Sequence, residues 1–492
     1  MNRTILLLTI LVTASCQSNS EITFESSVTE EYRPTYHFTP ESGWMNDPNG
    51  LIYLDGEYHL FYQHYPDSTV WGPMHWGHAV STDLINWEPL PIALYPDSLG
   101  YIFSGSAVLD TENSSGLGTA ETPPMVAIFT YHNAEEANPA SNTFQNQAIA
   151  FSLDKGRTWE KYNGNPVLPN PGIRDFRDPK VSQITNPDGS KSWIMTLAVL
   201  DHINFYSSPD LKNWTLLGEF GKTIGAHGGV WECPDLLPFK TPSGEDKWVL
   251  LVSINPGGPQ SGSATQYFIG DFKNGQFTPD DTMIRWLDYG PDNYAGVTWS
   301  NLPAEQNRTL FIGWMSNWLY ADVVPTEAWR SAMTVPRELS LFEVDGTLLL
   351  KSAPAKELEK LRSDKHNVRQ EASALPSESV ELYAEVNSDS FSITFSNELG
   401  ENLVISKENG LVSIDRRNAG MSDFHRDFAA IHSAPMSWEA KEIKIFLDAS
   451  SVELFVNNSE LVMTSILFPT SPWKNVAFSK NLDSSEIYRL EK

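Results

Sequence analysis

A turn signature recurs along the first two thirds of this chain, and it restricts the fold more than any other feature. Ser81-Thr82-Asp83 leads to Trp87, Ser152-Leu153-Asp154 to Trp159 and Ser208-Pro209-Asp210 to Trp214, while Asp271 leads through Lys273-Asn274-Gly275 to Phe277. Asp, Asn and Gly supply the side-chain acceptor or the backbone freedom that a reversal needs, so each reads as a turn between two strands closed by an aromatic ring. The aromatics recur every 55 to 72 residues, room for four short strands and variable loops. Four-stranded units repeated in a ring make a β-propeller. Gly50–Leu54 and Tyr58–Gln63 flank Asp55-Gly56, a strong hairpin signal. Apolar runs at Met125–Tyr131, Trp193–Leu200, Trp248–Ile254 and Thr309–Trp314 bring the expected count to about five blades.

Around Ser352 the texture changes. Pro354 opens a charged segment, 355–365, in which Leu358 and Leu361 stand at i and i+3, reading as a short linking helix. Strands then resume without the aromatic turns, at Val380–Val386, Phe391–Phe395, Leu403–Ser406, Ile443–Leu447, Val452–Val456 and Leu461–Ile466. Alternation such as Ile443-Lys444-Ile445 marks strands with one wet face, and a β-sandwich is the economical arrangement. The expected class is therefore all-β: a five-bladed β-propeller over residues 35–351, a linker over 352–366 and a β-sandwich over 367–492. No acid pair stands out in the sandwich, which reads as a packing module.

The first residues read as an address. Arg3 supplies a short positive region, Ile5–Val12 an apolar stretch, and Ala14-Ser15 small residues before Cys16, the layout of a secretory signal over residues 1–15. Thr13-Ala14-Ser15-Cys16 also resembles a bacterial lipoprotein box, in which Cys16 becomes the lipidated first residue and 16–34 a tether. The expectation is export and anchoring at a bacterial membrane through that lipid alone. Cys16 and Cys233 are the two cysteines, so lipidation of the first leaves no partner for an internal disulfide. With 34 Lys and Arg against 62 Asp and Glu, a formal charge of −28, a phosphate-rich polymer is repelled, and nucleic acid is excluded as a partner.

Three acidic residues carry the chemistry. Asp47 sits in Trp44-Met45-Asn46-Asp47-Pro48-Asn49-Gly50, Asp178 in Arg177-Asp178-Pro179, and Glu232 in Trp231-Glu232-Cys233-Pro234-Asp235. So far apart in sequence, they share a site only if the fold gathers distant loops. Carboxylates gathered in this way are the usual tools for cleaving a glycosidic bond. Taken singly, Asp47-Pro48-Asn49-Gly50 is also a turn sequence and Arg177-Asp178 an ordinary ion pair. Cys233 lacks a visible base and reads as a buried thiol shaping its neighbour's surroundings. His75-Trp76-Gly77-His78 has a spacing that could ligate metal, but no third ligand accompanies it, so two core histidines are expected and no metal.

The Trp44 to Gly50 run, Phe103-Ser104-Gly105-Ser106, Arg177-Asp178-Pro179, Glu232-Cys233-Pro234-Asp235 and Gly313-Trp314-Met315-Ser316-Asn317-Trp318 occur in an order that closely resembles glycoside hydrolase family 32. That family comprises invertases, inulinases and levanases. The resemblance runs from about Tyr36 to the C-terminus, with Trp329-Arg330-Ser331-Ala332-Met333 and Pro336-Arg337-Glu338-Leu339 closing the catalytic part. It implies a retaining mechanism on β-fructofuranosides without a cofactor. It further implies Asp47 as nucleophile, Glu232 as acid/base and Asp178 as transition-state stabiliser, with Arg177 keeping Asp178 ionised. Asn46, Gln63, Trp71, Phe103, Ser104, Arg177 and Trp314 match positions that bind the first sugar. The run Pro171 to Phe176 resembles fructan-cleaving members, so the expected activity is exo-acting release of fructose from levan or inulin, and from sucrose. A fructosyltransferase, an endo-fructanase, a family 43 arabinan hydrolase and a non-catalytic fructan-binding protein remain alternatives at this stage.

Overall fold

The computed structural model describes residues 30–186, 188–368, 372–478 and 482–492. The expected signal sequence, Cys16 and nearly all of the expected tether lie outside the described residues. Among the described residues no helix is long and apolar enough to cross a membrane.

Five antiparallel sheets make the N-terminal part, each beginning with a strand that belongs to the ring's interior: Gly43–Leu54, Tyr101–Leu109, Phe176–Thr185, Val230–Lys240 and Tyr294–Thr298. These five first strands touch their neighbours in a closed circle. The fold is a five-bladed propeller. The short strand Trp329–Arg330 runs parallel to Gly43–Leu54, pairing Gly43 with Trp329, and ties the end of the propeller to its beginning. The apolar runs at Met125, Trp193, Trp248 and Thr309 are the second strands of their blades, buried on both faces, which is why they are continuous instead of alternating.

The recurring turn joins the third strand of each of the first four blades to the fourth. In blade one Asp83 Oδ1 accepts the backbone N–H groups of Ile85 (3.0 Å) and Asn86 (2.8 Å), and Asp210 Oδ1 repeats this with Lys212 (3.0 Å) and Asn213 (2.8 Å). The fifth blade closes its outer hairpin with Asp345-Gly346 instead, as Asp55-Gly56 closes the first hairpin, both residues of each pair at positive φ.

Two six-stranded sheets form the C-terminal β-sandwich around one apolar core that includes Leu382, Phe395, Ile414, Ile445, Leu454 and Trp473. All six strands expected there are present. The linker is shorter than expected, however. Ser352, Ala353 and Pro354 finish the last propeller strand, Lys356–Leu361 is a single 3₁₀ helix that buries Leu358 and Leu361, and Arg362–Val368 is already the edge strand of a sandwich sheet. A charged edge strand lacks the apolar alternation that would have marked it. Buried ion pairs fasten the two domains: Arg337, itself paired with Asp288 (3.0 Å) inside the propeller, reaches Glu453 of the sandwich, and Arg416 of the sandwich reaches Asp292 (2.7 Å). His37, just ahead of the first blade, sits between Asp448 (2.8 Å) and Glu453 (2.9 Å) with all three side chains fully buried.

Candidate active site

Each first strand carries an extra residue opposite its neighbour at the same level in all five blades, and Gly43–Leu54 has a second such irregularity between Asn49 and Ile52. A proline or glycine marks the level: Pro48, Gly105, Pro179, Pro234 and Gly296. Proline cannot donate to the sheet ladder, which interrupts regular pairing at Pro48, Pro179 and Pro234, while Gly105 and Gly296 stand where a Cβ would come within 2.0 Å of the Ile128 carbonyl oxygen and 2.1 Å of the Phe311 ring. The residue before this marker is Asp47, Ser104, Asp178, Cys233 or Ala295, and the residue before that is Asn46, Phe103, Arg177, Glu232 or Tyr294. Two tiers of side chains thus converge on the axis. The acids come from strands, at bulges, and not from the distant loops anticipated from their spacing.

In the inner tier, Asp47 Oδ2 accepts from Ser104 Oγ (2.6 Å) and from Cys233 Sγ (3.4 Å). Asp178 Oδ2 accepts the Cys233 backbone N–H (3.1 Å) and lies 3.7 Å from its Sγ. Cys233 therefore sits between the two aspartates, buried, its thiol pushed well up by burial and by the carboxylates around it. It is a neutral wedge that separates two like charges. In the outer tier, Arg177 donates to Glu232 Oε1 from Nε (3.1 Å) and Nη2 (2.9 Å), and from Nη1 to Asp175 (2.6 Å). The Tyr294 hydroxyl donates to Glu232 Oε2. Glu232 is held at both oxygens.

Arg177 stands 4.0 Å from Asp178 and, as expected of an opposite charge, favours its ionised form, but burial outweighs that pull and, with Glu232 and Asp47 adding to the rise, pushes the Asp178 carboxyl up to about 7. Burial likewise raises Asp47, opposed by its hydrogen bonds from Ser104 and Asn46.

A cavity of about 320 Å³ opens above the acids and is lined by Asn46, Asp47, Gln63, Trp71, Phe103, Ser104, Arg177, Asp178 and Glu232. Asn46 bridges Trp44 Nε1 (2.7 Å) and Asp47 Oδ1 (2.9 Å), while Gln63 is anchored on the Ile102 carbonyl (2.9 Å). Trp71, 39% exposed, meets Phe103 edge-on at the mouth. Trp314 is not in the lining: it lies on the second strand of blade five, fully buried among Trp44, Tyr294 and Trp318, and Trp318 presents the ring to the cavity. His132, Phe144, Gln145, Arg174 and Asp175 also line it, of which the sequence had drawn attention only to the run containing the last two. Tyr294 could have been found from the Pro/Gly register of the first strands.

His75 and His78 do not form a pair. His78 is buried and meets His59 (3.0 Å), whereas His75, three residues along the same strand and so on its other face, is half-buried against Tyr95 and bonds the Pro73 carbonyl (2.8 Å). The expected core position therefore holds for His78 only. Among the described residues no group of three or more His, Cys, Asp or Glu is arranged to hold a metal ion.

A five-bladed propeller with carboxylates gathered at its axis and a β-sandwich appended is the architecture of a glycoside hydrolase. Comparison with known proteins narrows this. The family model described as "Glycosyl hydrolases family 32 N-terminal domain" matches residues 37–352, and "Glycosyl hydrolases family 32 C terminal" matches residues 351–491. The chain belongs to glycosyl hydrolase family 32. It is 45% identical over 471 residues to a levanase of Bacillus subtilis (strain 168), covering 89% of this chain and 67% of that protein. An extracellular exo-inulinase of Aspergillus awamori is 37% identical over 521 residues, 96% of each chain. The crystal structure of exo-inulinase from Aspergillus awamori superposes with a TM-score of 0.85 at 34% identity, covering 94% of this chain and 99% of that one. The family 43 alternative is thereby set aside.

Proposed function

We propose that this chain is an exo-acting β-fructosidase that removes terminal β-D-fructofuranosyl units from fructans and also cleaves sucrose, with retention of configuration. The observation that carries this is the convergence of Asp47, Asp178 and Glu232 on one cavity through the shared bulge of the first strands. The levanase and exo-inulinase relatives supply the substrate class.

In this reading Asp47 attacks the fructosyl anomeric carbon while Glu232 gives its proton to the departing oxygen, leaving a covalent ester on Asp47. Glu232, now a carboxylate, then takes a proton from the water that displaces Asp47. Asp178 accepts from fructose hydroxyls as the ring gains oxocarbenium character. Asn46, Gln63 and Ser104 bind sugar hydroxyls, and Trp71 and Phe103 cover an apolar ring face. Incubation with levan, inulin, sucrose and raffinose, with chromatography of the products, tests it. Free fructose from the first minutes is the expected result; an early ladder of oligosaccharides would make the enzyme endo-acting, and longer products would make it a transferase.

The signal layout and Cys16 support export with lipid anchoring on a bacterial membrane, and extracellular relatives agree with export. Cys16→Ala should release the protein from the membrane with its specific activity intact. Mass spectrometry of the mature N-terminus decides: an unmodified terminus elsewhere ends the anchoring idea.

A further inference from the structure

Behind the rim of the cavity a short hydrogen-bond chain leads away from Glu232. Glu232 holds Arg177, Arg177 Nη1 lies 3.5 Å from Gln145 Oε1, and Gln145 Nε2 lies 3.2 Å from His132 Nδ1. The orientation of each member is determined by a donor of known identity. The backbone N–H of Phe176 donates to Gln145 Oε1 (2.9 Å), and a backbone N–H cannot do otherwise, so the other end of that amide, the NH₂, faces His132. The Nδ1 of His132 is then the acceptor, and its one proton resides on Nε2. Burial, with Arg177 adding to it, lowers His132 to about 4, so the ring stays neutral over the range in which such a tautomer matters.

The ring is also held flat. It stacks on Phe103 at 4.2 Å and 7° between planes, with Phe144 edge-on at 5.3 Å, and Phe144 in turn lies under the Arg174 guanidinium at 5.4 Å. Gln145 is buried and His132 half-buried, and both line the cavity. His132 stands at the end of the second strand of blade two, one strand outward from Phe103 and Ser104. It is joined through Gln145 and Arg177 to the side of the site that holds Glu232, the group that must face the departing oxygen.

We propose that His132 presents its Nε2–H to a hydroxyl of the sugar unit on the leaving side of the scissile bond, and so sets the preference for saccharide over simple leaving groups, with Gln145 as the residue that positions it. This rests on the fructosidase reading above and extends it to the second sugar. The neutral donor is matched to a hydroxyl acceptor, the chemistry a fructosyl or glucosyl leaving group offers and an alkyl one lacks.

The test compares two substrates that share the fructosyl unit: an inulin-type trisaccharide and methyl β-D-fructofuranoside, whose leaving group carries no further hydroxyl. His132→Phe keeps the stack on Phe103 and removes the donor. Loss of one hydrogen bond should lower kcat/KM on the trisaccharide by roughly three- to tenfold and leave the methyl fructoside unchanged. His132→Gln, which can offer an amide N–H, should recover part of the loss. Equal loss on both substrates, or on neither, would overturn the proposal while the fructosidase reading stands; a wild type inert on both would bring down that reading and the proposal with it. Should His132→Phe not fold, nitrogen-15 NMR of the wild-type ring decides: a proton on Nε2 is required, and one on Nδ1 overturns the assignment.

Discussion

Arg177 gives two of its donors to Glu232, at 3.1 and 2.9 Å, and none within hydrogen-bond reach to Asp178, its neighbour in sequence. The guanidinium therefore orients the group proposed to carry the proton, and acts on Asp178 only as a nearby charge, while the hydrogen bond to Asp178 comes from the Cys233 N–H. A preorganised donor of this kind is worth more inside a partly dry site than in water.

Arg177→Gln should accordingly lower kcat by about 10²- to 10³-fold. Tyr294→Phe, which removes the second donor to Glu232, should lower it by roughly tenfold, within the range for one charged hydrogen bond. Steady-state kinetics beside thermal melts would show it; variants that melt normally and turn over like wild type would refute the orienting role.

The division of labour between the acids can be read from leaving groups. Glu232→Ala should slow cleavage of sucrose by about 10²- to 10⁴-fold but spare the first step on a fructoside with an acidic leaving group, and azide should then speed turnover. Asp47→Ala should show neither effect, because no covalent intermediate forms. Azide rescue of the Asp47 variant, with an inverted fructosyl azide as product, would exchange the two roles.

Asp178, raised from the usual 3.8 to about 7, holds a proton in the folded protein that the unfolded chain has already released. Its ionisation therefore weakens the fold increasingly between about pH 4 and 7 and by a constant amount above. Asp178→Asn should be more stable than wild type by about 1–2 kcal/mol at pH 8 and equal to it near pH 4, while losing activity. Chemical unfolding at the two pH values measures the difference; a gap that grows toward acid pH would contradict the assignment.

His37 works in the opposite sense. Burial disfavours its charge, but Asp448 and Glu453 outweigh that and raise it to about 9, so it enters the folded state as a cation. The stability it contributes is complete below about pH 6.5 and fades as pH rises through 9. His37→Ala should be destabilised by about 3–5 kcal/mol at pH 6, since it leaves two buried carboxylates short of a partner, and the gap to wild type should narrow toward pH 10. Melting curves across that range check it.

Much of this protein was determined locally. Asp83, Asp154 and Asp210 make their turns with backbone groups two to four residues away, and Asp55-Gly56 bends its hairpin by its own dihedral preferences, so blades and strands were legible without tertiary knowledge. The acidic motifs were legible too, because Pro48, Pro179 and Pro234 mark them. What only the tertiary structure decided is which side chains meet: that Arg177 serves Glu232 and not Asp178, that Trp318 and not Trp314 faces the cavity, that Tyr294, Gln145 and His132 join the site, and that His75 and His78 part. Each of these depends on the face a residue takes on its strand and on how five blades, far apart in sequence, are brought to one level. Closing the ring sets that level, and no local stretch of sequence contains it.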